Sequence, residues 1–325
     1  MDDADAGTAC DCLVIGGGPA GLTAALYLAR FHLSVTVVDA GNSRAALIPL
    51  TRNLPGFPDG ISGVAFLENM RRHTLLYGVN LRRSSVADVR RDEHGFLAHT
   101  GQSRIRARAI LLATGVVNRR PSMISDVDHA RGLATGLIRY CPICDGYEVT
   151  DQRIAIMGTG ERGCDEALFL RTYSSDVTLV APSGGHAVDQ LQIRRLSDAG
   201  VVIAGECRAI SLCGEAIELD VEGMRMTFDT LYPALGSDIR SELAGQLGAE
   251  LSEEGCLTVD AHQRTGVPGL YAAGDVVLGL DQISHAIGEA GVAATTIRND
   301  LAAATPSFRQ AEGWASRSTA SSRGQ

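Results

Sequence analysis

CLVIGGGPAGLTAALYLARFHLSVTVVDA, Cys12 to Ala40, decides the fold. Cys12 to Ile15 is a short apolar run, the pattern of a strand buried on both faces. Gly16-Gly17-Gly18-Pro19-Ala20-Gly21 follows, small residues continue at helical spacing to about Arg30, and a second apolar run, Val35 to Val38, ends in Asp39. Strand, glycine turn, helix and strand in that order make a dinucleotide-binding βαβ unit. Gly16 permits the tight turn, Gly18 lets the backbone approach a pyrophosphate, and Gly21 lets the helix pack closely on the strand. The phosphates then lie at the helix N-terminus. Asp39 stands 23 positions after Gly16, where a carboxylate would take an adenosine ribose hydroxyl.

The same grammar returns at RIAIMGTGERGCDEALFLRTYSSDVTLVA, Arg153 to Ala181. Arg153 to Met157 reads as a strand, Gly158-Thr159-Gly160-Glu161-Arg162-Gly163 repeats the glycine spacing, Asp165 to Thr172 reads as a helix and Asp176 to Val180 as the second strand. The segment after that strand, Ala181-Pro182-Ser183-Gly184-Gly185-His186, has no acid for an NAD ribose and no arginine for an NADP 2′-phosphate. Two further apolar strands end in small-residue turns, Ala113-Thr114-Gly115 and Gly274-Asp275. Each places a turn at the carboxyl edge of a parallel sheet, where open α/β folds bind ligands.

Composition narrows the chemistry. The chain has 325 residues, and all 29 of its Lys+Arg positions are arginine. Without lysine there is no Schiff base, lysine general base or P-loop lysine. The length suits two domains at roughly 100 to 200 residues each. A net charge of −9 argues against nucleic acid and against an anionic membrane surface. The opening MDDADAGTACDC is acidic rather than signal-like, and no apolar stretch reaches about 18 residues. The expected location is the cytoplasm, where a close cysteine pair among the eight is redox-active or metal-binding rather than a staple.

One such pair exists, in Cys141-Pro142-Ile143-Cys144-Asp145-Gly146. Two thiols three positions apart at the start of a helical turn can close a small disulfide ring, and amide dipoles there favour a thiolate. Asp145, directly after the pair, can relay protons. No second CxxC and no HxxxH completes a zinc site, so no metal is expected. Cys10, Cys12, Cys164, Cys207, Cys213 and Cys256 read as packing residues.

Taken in order, Gly16 to Gly21, Asn53-Leu54-Pro55-Gly56-Phe57-Pro58, Ala113-Thr114-Gly115, Cys141 to Gly146, Gly158-Thr159-Gly160 and Ala273-Gly274-Asp275 resemble the bacterial thioredoxin reductases over about Asp11 to Asn299. The resemblance implies an α/β fold of two Rossmann-like three-layer nucleotide-binding domains, the second inserted in the first. An FAD-binding domain would comprise 1–119 and 242–304. A pyridine-nucleotide-like domain carrying the CxxC would comprise 120–241, and 305–325 would form a disordered tail. By the resemblance, Gly16, Gly18, Pro19, Ala20 and Gly21 hold the FAD pyrophosphate, Asp39 the ribose and Asp275 the ribityl chain. Asn53, Ala113, Thr114, Gly115 and Gly274 lie toward the flavin. Cys144 faces the flavin, Cys141 attacks the partner's disulfide and Asp145 is the acid. A homodimer is implied as well.

Two departures bear on function. NADPH-dependent members carry arginines where this chain has Ala181 to Gly185, so NADPH is doubtful as donor. Their flavin-contacting Arg-Gln-Ala corresponds to Ser284-His285-Ala286 after a loop two residues longer, which makes His285 a candidate proton donor beside the flavin and Ala286 a contact. Three readings follow. The first is a disulfide reductase acting on a thioredoxin-like protein or a small disulfide, fed by a donor such as NADH or a ferredoxin-type protein. The second is a small-molecule dithiol oxidase using FAD and oxygen, and the third a redox-sensing flavoprotein without turnover.

Overall fold

The computed structural model describes residues 8–101 and 103–306. The expected tail therefore lies outside the described residues from 307 onward. The opening unit forms as the sequence dictates: β1 (Thr8–Ile15), α1 (Pro19–Arg30) and β2 (Val35–Asp39), with β1 and β2 parallel and Cys12 opposite Val35. Pro19 at the first helical position costs no hydrogen bond, because its missing N–H is one that a helix leaves unpaired there anyway. β1 is fully buried from Cys12 to Val14.

The chain continues through α2 (Gly63–Leu75), β3 (Asn80–Arg83), β4 (Val86–Asp92), β5 (Gly95–Thr100), β6 (Ser103–Leu112) and β7 (Val116–Asn118). β3, β2, β1 and β6 lie side by side in that order, with β5 and β4 added as an antiparallel edge. A late strand, β15 (Leu270–Ala272), pairs in parallel with the carboxyl half of β6, so the sheet is closed by residues from the far end of the chain. The same is true of its helical cover. The long last helix α8 (Ile283–Ala304) packs on α1 through small residues: Ala20, Ala24 and Ala25 share one buried cluster with Ala286, Ala290, Ala293 and Ala294. Small side chains at this contact let the two helix backbones approach closely.

Between these parts lie α3 (Asp126–Thr135), α4 (Pro142–Asp145), β8 (Ile154–Met157), α5 (Gly160–Leu170), β9 (Val177–Ala181), α6 (Gln190–Asp198), β10 (Val202–Cys213), β11 (Ala216–Val221), β12 (Met224–Phe228) and β13 (Thr230–Pro233). They make a second sheet in the order β12-β11-β10-β9-β8-β13, with its own buried clusters. β8, β9, β10 and β13 run parallel, and β11 and β12 form an antiparallel extension. The sequence places a helix start at Asp165, whereas α5 starts at Gly160, because Thr159 in extended backbone ends the glycine turn and the helix follows directly. β14 (Ser237–Ile239) then pairs antiparallel with β7, Ser237 opposite Asn118. A short α7 (Glu242–Gln246) returns the chain to the first sheet. This is the mixed α/β architecture with two Rossmann-like units that the sequence implies. Among the described residues no helix is long and apolar enough to cross a membrane, and no cluster of His, Cys, Asp and Glu could hold a metal ion.

Candidate active site

The glycine turn after β1 is fixed by what surrounds it. Gly16 has φ +110°, and a Cβ there would lie 2.2 Å from the Ala113 carbonyl oxygen; a Cβ on Gly21 would lie 1.9 Å from that of Gly16. The turn, the end of β6 and the start of α1 are thus in backbone contact, which only glycine allows. Asp39, at the end of β2, accepts from the Gly41 amide at 3.0 Å, and Arg71 approaches its other oxygen at 3.5 Å.

A cavity of 460 Å³ opens above this turn. Gly16, Gly18, Pro19, Ala20, Asp39, Asn53, Ala113, Thr114, Gly115, Gly274, Asp275 and Ala286 line it, and so do Cys141, Cys144 and Asp145 from the other sheet's side. Twelve of the thirteen cofactor-site residues expected from sequence therefore meet at one cavity with the cysteine pair; Gly21 sits just behind, under Gly16. Thr114 is also committed structurally, its hydroxyl donating to the Arg240 carbonyl at 2.6 Å. Asp275 shares the Arg44 guanidinium with Asp281, at 3.1 and 2.7 Å. Burial pushes the Asp275 carboxyl above the usual range, with Asp281 adding to it and Arg44 opposing.

Cys141 and Cys144 are bonded to each other, S–S 2.01 Å. Cys141 caps α4, its sulfur accepting from the Cys144 amide at 3.1 Å. Asp145 is gripped from two sides: Arg139 donates to one carboxylate oxygen at 2.9 Å and the Tyr232 hydroxyl to the other at 2.7 Å. Burial raises the Asp145 carboxyl above its ordinary range, while the Arg139 charge and both hydrogen bonds hold the rise back. Burial and the facing carboxylate push the Tyr232 phenol far up, so that it stays a donor at any working pH.

Three residues of this arrangement are not among the sequence candidates. Gln282, the last residue before α8, donates through its side-chain amide to both sulfurs, 3.3 Å to Cys141 and 3.2 Å to Cys144. Arg139 and Tyr232 are the other two. His285, in contrast, is not brought to the cavity. Its imidazole is 42% exposed and lies 3.1 Å from Glu289, whose other oxygen accepts from the Gly274 amide at 2.7 Å. A tyrosine in an otherwise aliphatic buried strand, Leu231-Tyr232-Pro233-Ala234, is a signal that could have found Tyr232, since a buried phenol needs a partner.

In the loop after β9, Gly184 and Gly185 adopt φ +96° and +81°, and His186 donates from Nε2 to the Ala204 carbonyl at 2.7 Å. Between Arg171 and Arg194 the sequence contains no arginine.

Comparison with known proteins agrees with this geometry. Residues 10–290 match the family model described as pyridine nucleotide-disulphide oxidoreductase. The chain is 34% identical over 288 residues to a thioredoxin reductase of Streptomyces coelicolor, covering 82% of this chain and 85% of the relative. It is 31% identical to a thioredoxin reductase of Mycolicibacterium smegmatis, covering 83% and 89%. Among solved structures, HlmI superposes with a TM-score of 0.82 at 28% identity over 93% of this chain and 94% of HlmI. The thioredoxin reductase of Streptococcus pyogenes gives 0.82 at 25% identity over 92% and 100%. The chain belongs to the pyridine nucleotide-disulphide oxidoreductase family and is a thioredoxin reductase-like thiol–disulfide oxidoreductase.

Proposed function

We propose that the protein is an FAD-dependent disulfide oxidoreductase in which Cys141 and Cys144 exchange electrons between bound FAD and an external disulfide, with a donor other than NADPH. The observation that carries this reading is one shared cavity: the glycine turn and the Cys141–Cys144 pair line the same 460 Å³ space. The residues fit FAD. Gly16, Gly18, Pro19 and Ala20 line the cavity at the start of α1, where Gly16 and Gly21 let the turn sit against the backbone of β6 and α1, Asp39 stands at the ribose end, and Asp275 and Asn53 offer polar groups further along. FAD held there would supply two-electron transfer to and from the dithiol.

The protein's own contribution is proton and sulfur chemistry. When the disulfide opens, one sulfur leaves as a thiolate and Cys141 is the better placed to hold that charge, since the Cys144 amide already donates to it. Asp145, adjoining Cys144 and raised in affinity for a proton by burial, is placed to protonate a departing thiolate and to take the proton back. Arg139 and Tyr232 fix its two oxygens. Ile143, within the pair, and Tyr147, three residues after it, are exposed, where a partner carrying the target disulfide would dock. By analogy with the relatives, that partner is a thioredoxin-like protein and the working unit a homodimer; residues 120–241 would act as the moving, inserted domain.

The reading that NADPH is not the donor rests on the loop after β9, which lacks cations. Anaerobic mixing of the yellow protein with NADPH, NADH or a reduced ferredoxin tests it. Rapid bleaching at 450 nm by NADPH would overturn the donor assignment. The same loop favours a second reading, a dithiol oxidase returning electrons to oxygen. Bleaching by small dithiols, without reoxidation by thioredoxin, would establish that one. Cys141→Ser and Cys144→Ser should each abolish exchange and keep the flavin. Turnover retained in both would exclude both enzymatic readings.

A further inference from the structure

Gln282 comes from the irregular loop before α8, yet it reaches a disulfide 141 and 138 positions earlier in the chain. Its amide carries two N–H groups, and the two sulfurs lie at 3.3 and 3.2 Å from the one nitrogen. The other end of the same amide is held: Asn53 donates to the Gln282 carbonyl oxygen at 3.0 Å, and the Thr51 hydroxyl donates to the Asn53 carbonyl oxygen at 2.9 Å. Thr51, Asn53 and Gln282 therefore form a chain of hydrogen bonds all pointing the same way, with its free donor end on the sulfurs. Each donor polarises the next. A divalent sulfur in a disulfide accepts weakly, whereas a thiolate accepts strongly. The relay gains most when the disulfide is open.

We infer that Gln282 is a catalytic residue that stabilises the thiolate formed when Cys141–Cys144 is reduced, and that Asn53 and Thr51 position it. The inference rests on the reading of this pair as the working disulfide. With an external dithiol as reductant, two electrons enter: the Cys141–Cys144 bond breaks, and a bond forms between the reductant's two sulfurs. Of the two protons the reductant gives up, one goes to a cysteine and one to solvent, which leaves a thiol and a thiolate. Among the described residues Cys141 then has two donors, the Cys144 amide at 3.1 Å and Gln282, while Cys144 has Gln282 alone. The thiolate settles on Cys141.

Of the charged groups lining this cavity, Asp145 is paired with Arg139 and bonded to Tyr232, Asp275 and Asp281 share Arg44, Asp39 lies 3.5 Å from Arg71, Arg240 donates to Asn42 at 3.3 Å, and Glu242 stands at the start of α7; Glu148, outside the lining, faces Arg52 at 3.9 Å. The phenol of Tyr140 is held by His129 at 2.8 Å. Gln282 is the neutral donor that touches both sulfurs.

The test uses the flavin-loaded full chain, reduced with dithiothreitol and alkylated with iodoacetamide from pH 5 to 10, each cysteine being followed by mass spectrometry. Gln282→Leu keeps the size and removes the donor. Its Cys141 alkylation profile should move up by about one pH unit, about tenfold in rate on the low-pH side. Gln282→Glu should move it further, since a carboxylate repels the thiolate. Asn53→Ala, which leaves Gln282 in place but unanchored, should give a smaller shift in the same direction and decides the matter if the leucine variant does not fold. An unchanged Cys141 profile in folded, flavin-bearing variants overturns the inference alone. Failure of dithiothreitol to expose Cys141 and Cys144 in the parent protein overturns the reading of the site together with it.

Discussion

Tyr232, wholly buried at the end of β13, donates its hydroxyl hydrogen to Asp145 at 2.7 Å. The bond joins a core strand of the second sheet to the residue beside Cys144, so the acid is oriented by the fold rather than by its own short helix. A hydrogen bond to a carboxylate favours its charged form. Tyr232→Phe should therefore raise the Asp145 carboxyl further and carry to higher pH the limb of the rate profile on which proton donation by Asp145 is lost. Arg139→Met should do so more strongly, because the Arg139 charge is the largest influence opposing burial. pH–rate profiles of the two variants check this; limbs that stay put would exclude Asp145 as the titrating group.

Raised carboxyls also mark the stability curve. Asp145 and Asp275 bind a proton more tightly folded than unfolded. Their contribution is thus fully present below the ordinary carboxylate range and is lost as pH rises through their raised folded values. Asp275→Asn should flatten that part of the curve, as followed by urea denaturation between pH 4 and 8.

Arg44 is the sole cation in hydrogen-bond contact with both Asp275 and Asp281 among the described residues. Arg44→Leu leaves two carboxylates facing each other and should cost about 1–3 kcal/mol at pH 8. The loss should shrink on acidification, as Asp275 takes up a proton. Thermal melts at pH 5 and pH 8 distinguish this from a packing defect, which would be the same at both.

Gly21→Ala places a methyl 1.9 Å from the Gly16 carbonyl oxygen. The turn must open, and the variant should purify colourless or fail to fold. A yellow, fully loaded Gly21→Ala protein would contradict the placement of the cofactor on this turn.

His285 and Glu289 separate surface from structure. His285 is 42% exposed and away from the core, so His285→Ala should change stability by no more than about 0.5 kcal/mol. Glu289 is only 10% exposed and satisfies the Gly274 amide; Glu289→Ala should cost about 1–3 kcal/mol. If His285→Ala instead slows turnover tenfold with stability unchanged, the imidazole reaches the chemistry in another conformation.

What the sequence makes legible here is local. Gly16 to Gly21 and Cys141 to Cys144 declare themselves because the spacing within a few residues is itself the chemistry, and β1, α1 and β2 follow from apolar runs around the first motif. Gln282 and Tyr232 do not, because their partners are distant in the chain: Gln282 meets Cys144 across 138 positions and Tyr232 meets Asp145 across 87. Gln282 reads as an ordinary polar residue before a helix, and Arg139 as one arginine among 29. His285 illustrates the converse. A position within a motif suggests proximity to the cavity, but one residue's rotation on α8 turns His285 to Glu289 and Ala286 inward.

The two-strand ribbon of β7 and β14 has a consequence for modularity. Because Asn118 and Ser237 are cross-strand partners, the chain leaves the first sheet and comes back at a single spot. Everything between them is a closed loop in the topological sense, removable without cutting any strand of the first sheet. Joining 118 to 237 through a tight hairpin turn would yield a shortened protein that still holds β1, β6, β15 and the α1–α8 contact, but no cysteine pair. The glycine turn after β1 and the Cys141–Cys144 pair thus lie on topologically separable pieces of one polypeptide.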